Sequence, residues 1–305
     1  MTSRAVRSTQ LATLVDPAAE LERIGTGFEF TEGPIWHPRD ECLLFSDIAG
    51  DSRHRWRAES GFVIARTPNG MGNGMTLDAD LNLIICEHAT SSVVRESADR
   101  LRTTLASHYG GKELNSPNDV VVRSDGSIYF TDPTYGRMPF IGVERGCDLA
   151  FRGVYRIPAG GGDPQLLVGD FDQPNGLCFS VDESRLYVDD TARAHVRVFR
   201  VERDGALTGG EVFASAIGDG TRAGGGYVDG LKCDEASNIW VTGPSGIWVF
   251  SPSGEHLGIV EVPEIATNLH WGGHDWHWLF VTAGKSVYRI RTRVTGHREP
   301  FMARE

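Results

Sequence analysis

The chain has 305 residues, 41 of them Asp or Glu against 30 Lys or Arg, and a net charge of −11. No basic cluster offsets that field, which excludes recognition of a nucleic-acid backbone. No apolar run approaches the roughly 20 residues of a membrane-spanning helix, so neither nucleic acid nor membrane is an expected partner.

Residues 1–18 read as a loose N-terminal arm. Two Arg and scattered apolar residues in MTSRAVRSTQLATLVDPAAE do not make the unbroken apolar region of a secretory leader, so a cytoplasmic location is expected. Residues 19–305 read as one domain, beginning with the strand candidate LERIGTGFEF at 21–30. A repeat then starts and runs six times. Its units are EGPIWHPRDECLLFSDI from Glu32, NGMTLDADLNLIICEH from Asn73, NDVVVRSDGSIYFTDP from Asn118, NGLCFSVDESRLYVDD from Asn175, DGLKCDEASNIWVTG from Asp229 and TNLHWGGHDWHWLFVTA from Thr267. Each is a short apolar strand, a turn rich in Asp, Gly, Ser or Pro, and a second apolar strand.

The starts lie 41, 45, 57, 54 and 38 residues apart, which is room for four strands per unit. Third strands are predicted between units at GVYRIP (153–158), HVRVFRV (195–201) and GIWVFS (246–251). The last unit is followed only by SVYRIRTR, so pairing it with the segment at 21–30 closes a ring and leaves no free sheet edge. The expectation is an all-β, six-bladed β-propeller closed by an N-terminal strand. Glycine is about 12% of the chain against a usual 7%, as many tight turns require. Cys42, Cys86, Cys178 and Cys233 sit in strand-like runs and Cys147 in a polar loop, without CxxC spacing. They read as reduced thiols, the first four buried.

In a propeller the innermost strands line the axis, so equivalent positions at their starts converge. That column reads Glu32, Asn73, Asn118, Asn175, Asp229 and Thr267. Two carboxylates close to an axis repel one another unless a cation neutralises them. Oxygen donors without Cys or His indicate a hard divalent ion: Ca²⁺ is preferred, with Mg²⁺, Mn²⁺ and Zn²⁺ as alternatives. A second column, closing each second strand, reads Asp47, Glu87, Asp132, Asp190, Gly243 and Ala283. Its acids are expected to cap turn amides or meet Arg, some of them supporting the first column. The loop at about 133–152 is long enough to roof the channel mouth, and GDGTRAGGGY at 218–227 reads as a loop just before Asp229.

At FTEGPIW (30–36), GGKELNSPNDV (110–120), FTDPTYG (130–136), QPNGL (173–177), VDGL (228–231) and VTAGKSVYRI (281–290), the chain resembles the gluconolactonase and regucalcin (senescence marker protein) family of six-bladed propellers. LNSPND with FTDPxYG is similar to the bacterial gluconolactonase-like branch. The resemblance implies one divalent ion, commonly calcium, held at the axis by Glu32, Asn118, Asn175 and Asp229. Where regucalcin-type members carry a sugar-contacting Arg, this chain has Ser116. Candidate substrate contacts are therefore local: Asn73, His88, Lys112, Asn115, Tyr135 and His270. The expected activity is hydrolysis of a small-molecule lactone, a sugar-acid ester ring, with Asp229 as the catalytic base. The alternatives are a phosphotriesterase-like hydrolase on the same site and a non-catalytic calcium-binding scaffold.

Overall fold

The computed structural model describes residues 8–218 and 225–302. Six antiparallel four-stranded sheets stand around a common axis. From the inside outward, blade 1 is Thr31–His37, Cys42–Asp47, Ser52–Arg57 and Gly61–Arg66. Blade 2 is Gly72–Leu77, Leu83–Glu87, Ser92–Glu96 and Arg102–Ala106, and blade 3 is Val120–Val122, Ile128–Asp132, Arg152–Ile157 and Gln165–Phe171. Blade 4 is Pro174–Phe179, Arg185–Asp190, His195–Val201 and Leu207–Ala214. Blade 5 is Leu231–Cys233, Ile239–Gly243, Gly246–Phe250 and His256–Glu261. Blade 6 is Ala266–Gly272, Trp278–Ala283, Ser286–Arg291 and, outermost, Glu22–Thr26.

The burial patterns follow from that stacking. All residues of Thr31–His37 and Cys42–Asp47 are buried, because each blade has a neighbour on both faces, whereas Gly61–Arg66 at the rim is half-buried to exposed. Second strands such as Cys42–Asp47 and Leu83–Glu87 therefore read as largely apolar runs rather than as a clean alternation. The expected closure forms as an antiparallel pair in which Glu22 faces Arg289 and Thr26 faces Ser286, so the N-terminal strand completes the last blade.

Residues 8–18 depart from the loose arm expected of residues 1–18. Leu11, in a short 3₁₀ turn over Leu11–Thr13, and Val15 are fully buried, and Val15 bridges to Thr292. Their apolar side chains cover the outer flank of blades 5 and 6, which the charge-poor start of the chain did not advertise. All five cysteines are free thiols, four buried and Cys147 exposed. Among the described residues no helix is long and apolar enough to cross a membrane.

Candidate metal and substrate site

The inner strands begin irregularly, and that irregularity makes the site. Register slips occur between Glu32 and Ile35, Gly72 and Met75, Pro174 and Leu177, and Ala266 and Asn268. Asn118 and Asp229 lie just before the regular pairing of their strands starts at Val120 and Leu231. A bulge turns a side chain that would point between blades toward the axis instead. The strand entries are also tied to each other around the ring: Gly74 N donates to Asn118 O at 2.9 Å, Gly176 N to Asp229 O at 2.7 Å and Gly230 N to Thr267 O at 2.8 Å. Glycine is required where these backbones meet. A Cβ on Gly33, whose φ is +52°, would stand 2.0 Å from Asn73 O, and one on Gly176 would stand 2.3 Å from Asp229 O.

The second column carries out part of the work expected of it. Asp47 accepts from the N–H groups of Glu29 and Phe30, Asp132 from those of Asn115 and Ser116, and Asp190 from those of Asp172 and Gln173. In each blade these amides lie three and two residues before the axial residue, here Glu32, Asn118 and Asn175. One buried carboxylate thus clamps the approach to each of three site residues. Glu87 departs from the pattern and is bonded to Thr90 and Arg102, while Asp51 of blade 1 receives Asn69 N and Met71 N ahead of Asn73.

The entries surround one cavity of about 360 Å³. Glu32, Asn73, His88, Asn118, Asn175, Thr191 and Asp229 form its polar floor, and Phe30, Ile48, Tyr135, Met138, Ile141 and Tyr227 its walls. The long loop of blade 3 roofs it as expected. Ser116, at the position of the regucalcin-type Arg, is spent on that roof: its Oγ donates to Pro133 O at 2.7 Å and receives Gly136 N at 2.9 Å. Arg137 fastens the roof to the carbonyls of Leu114 and Asn115 and pairs with Glu113 at 3.0 Å.

The electrostatics are those of an uncompensated acidic pit. Burial raises the carboxyl of Glu32 well above its usual range, with Asp229 and Asp119 adding to it. Burial and then Asp119 push Asp229 up to about 8. Asp189 is raised well above its usual value by burial, Asp229 and Asp119. Positive charge beside these groups would relieve all of them. Among the described residues no three His, Cys, Asp or Glu side chains group as a cage, so a cation here must draw on amide oxygens as well as Glu32 and Asp229. The amides are set for that. Asn175 spends its NH₂ on Thr191 Oγ1 at 3.1 Å, leaving its oxygen for the pit. This all-oxygen donor set suits a hard divalent ion.

Of the residues expected to touch substrate, Asn73, His88 and Tyr135 line the cavity with Glu32, Asn118, Asn175 and Asp229. Lys112, Asn115 and His270 do not, which corrects the expectation for those three. Lys112 is exposed in a two-residue hairpin with Tyr109. Asn115 is fully buried, its amide bonded to Asp132 and to Phe151 O. His270 lies three residues below the ring on an inner strand and faces Glu299 at 3.9 Å. At roughly 3.3 Å per residue it sits about 10 Å too deep. Of the loop at 218–227, residues 219–224 lie outside the described residues.

Sequence reasoning missed Asp119, Asp189, Thr191 and Asn268. Asn268 donates to Glu32 Oε2 at 3.0 Å. The signal was one position along from the axial column, which reads Gly33, Gly74, Asp119, Gly176, Gly230 and Asn268: four glycines at blade contacts, and two polar exceptions whose side chains enter the channel.

Fold and site together define a six-bladed propeller whose axis opens on a pit of acids and amides. Residues 30–285 match the family model described as SMP-30/Gluconolactonase/LRE-like region, and the chain belongs to that family. It is 28% identical over 309 residues to a gluconolactonase of Zymomonas mobilis, covering 95% of this chain and 86% of that one. A pentonolactonase of Haloferax volcanii is 27% identical over 266 residues, 85% of this chain and 83% of that one. Among solved structures, a gluconolactonase from Xanthomonas campestris superposes with a TM-score of 0.86 at 32% identity, over 94% of each chain. A calcium-binding regucalcin from Agrobacterium tumefaciens shares the fold at 21% identity and a TM-score of 0.76, over 92% of this chain and 97% of that one.

Proposed function

We propose that the protein hydrolyses a lactone of the sugar-acid class at a divalent cation, Ca²⁺ by preference, held by Glu32, Asn118, Asn175 and Asp229. The observation that carries this reading is the convergence of those four side chains, from four different blades, on the floor of one roofed cavity. The lactonase names of the relatives at 27–32% identity support the reaction class. When bound, the cation supplies Lewis-acid polarisation of the ester carbonyl and stabilises the charge that develops on its oxygen.

The chain's own residues supply position and proton transfer. Asp229 holds the attacking water and takes its proton at a carboxylate oxygen, a role typically worth about 10²–10⁴-fold. At about 8 its carboxyl would be protonated at neutral pH, so the base form requires neighbouring positive charge. Asn118 and Asn175 present neutral oxygens, so only two of the four ligands, Glu32 and Asp229, carry negative charge. Tyr135, which lines the cavity with Thr191, and the apolar walls hold the ring over the floor and limit water at the reacting carbon.

The test is proton release from aldono-γ- and δ-lactones by chelator-stripped protein with Ca²⁺, Mg²⁺, Mn²⁺ or Zn²⁺ added back. Metal-dependent hydrolysis that disappears in Glu32→Gln and Asp229→Asn is the expected result. No turnover above the spontaneous rate with any lactone and any ion would overturn it.

A further inference from the structure

Asn73 stands between Glu32 and Asn118 in the ring of strand entries, and its side chain is held by a chain of hydrogen bonds. The roof segment begins that chain: Ile141 O lies 2.7 Å from His88 Nδ1. A carbonyl only accepts, so Nδ1 carries the hydrogen. His88 Nε2 lies 3.2 Å from Asn73 Nδ2. In a neutral imidazole with its hydrogen on Nδ1, Nε2 is an acceptor, and only the NH₂ of Asn73 can serve it. Two bonds thus decide which way the Asn73 amide faces, and its oxygen is the atom left over.

That oxygen is buried and meets no hydrogen-bond donor among the described residues, although Asn73 lines the cavity and is 3% exposed. A buried acceptor without a partner costs about 1–3 kcal/mol. Asn73 occupies the same position at its strand entry as the four candidate ligands do at theirs. We propose that the amide oxygen of Asn73 is a fifth protein ligand of the axial cation, oriented by His88 and, through it, by the Ile141 carbonyl of the roof. His88 is then a positioning residue and not a substrate contact. The roof and the cation site become one mechanical unit, since displacing Ile141 frees the ring that aims Asn73.

The inference rests on the cation reading above, and binding measurements separate the two. Tb³⁺ luminescence lifetimes in H₂O and D₂O count the waters on a bound ion, and calorimetry gives the Ca²⁺ affinity of the stripped protein. Asn73→Ala is expected to add one inner-sphere water and weaken Ca²⁺ binding roughly 10- to 100-fold, the range that follows loss of a ligand's support. Asn73→Asp, which keeps an oxygen in place, is expected to restore the wild-type water count. His88→Phe is expected to weaken binding while Asn73 is still present. An unchanged water count and affinity in Asn73→Ala would overturn the ligand role while leaving the cation reading intact. Wild-type protein that binds neither ion would overturn both.

Discussion

Under the proposed function, Asp229 and Asn268 divide the labour at the floor between a residue that acts on substrate and one that acts through a neighbour, Glu32. Asp229→Asn keeps size and hydrogen bonding but not basicity. Under the proposed function kcat falls about 10²–10⁴-fold while the melting temperature measured with cation present changes little; wild-type turnover would remove Asp229 from the role. Asn268→Leu takes the 3.0 Å donor from Glu32 Oε2, and the expected outcome by calorimetry is Ca²⁺ affinity lowered roughly tenfold or more. The two residues also differ in how visible they were. Asp229 stands in a column that the six-fold repeat puts in register, so its place at the axis follows from alignment and from the repulsion of two buried acids. Asn268 lies one residue outside that column, and its role depends on a register slip between Ala266 and Asn268 that no composition rule reveals. His270 misled for a related reason: it shares a strand with Thr267, but its depth puts it at the wrong end of the channel.

At the scale of elements, blade order, strand boundaries and the closing pair Glu22–Thr26 with Ser286–Arg291 were legible, because each repeat carries a buried, largely apolar second strand behind its turn. What the pattern could not carry was the division of the carboxylates that end the second strands. Asp47, Asp132 and Asp190 each clamp two backbone amides ahead of a site residue, whereas Glu87 meets Arg102. The difference lies in loop geometry, which repeat alignment does not resolve. Asp190→Ala leaves the amides of Asp172 and Gln173 without their acceptor. It should lower the melting temperature and weaken cation binding together, as Asn175 loses its lead-in; a loss of stability with wild-type Ca²⁺ affinity would show that the clamp does not reach the site. The roof is similarly constrained. A Cβ at Gly136 would stand 2.6 Å from both His88 Cγ and Ser116 Cβ, so Gly136→Ala must lift the loop. The expected outcome is kcat/KM lowered by up to about 10²-fold, and unaltered kinetics would count against the roof's part in holding substrate.

For the whole molecule, the buried acids make stability depend on pH and, under the proposed function, on the cation as well. Asp229, raised from 3.8 to about 8, binds a proton in the folded protein across a range where the unfolded chain has lost it. Folding is therefore favoured less as pH rises through that window. His88 and His270, both lowered to about 4, act oppositely, but their contribution is complete above about 6.5. Between pH 6.5 and 8 the acid term remains, and the melting temperature of chelator-treated protein should fall with rising pH. Excess Ca²⁺ should abolish or reverse that slope, since an ion bound only by the folded state stabilises it. A melting temperature independent of pH in chelator would contradict the coupling.

The far end of the axis adds a constraint of another kind. Glu299, from the C-terminal segment, accepts from Thr76 at 2.8 Å, pairs with Lys232 at 3.2 Å and faces His270, joining the inner strands of blades 2, 5 and 6 below the floor. Among the described residues these buried side chains fill that end of the channel, and the cavity opens toward the exposed Met138 and Tyr227. Under the proposed function, substrate that enters past Met138 and Tyr227 leaves as product by the same opening, and the next molecule waits until it has gone. A change that widens the doorway speeds arrival and departure alike, and the traffic in the two directions cannot be tuned separately.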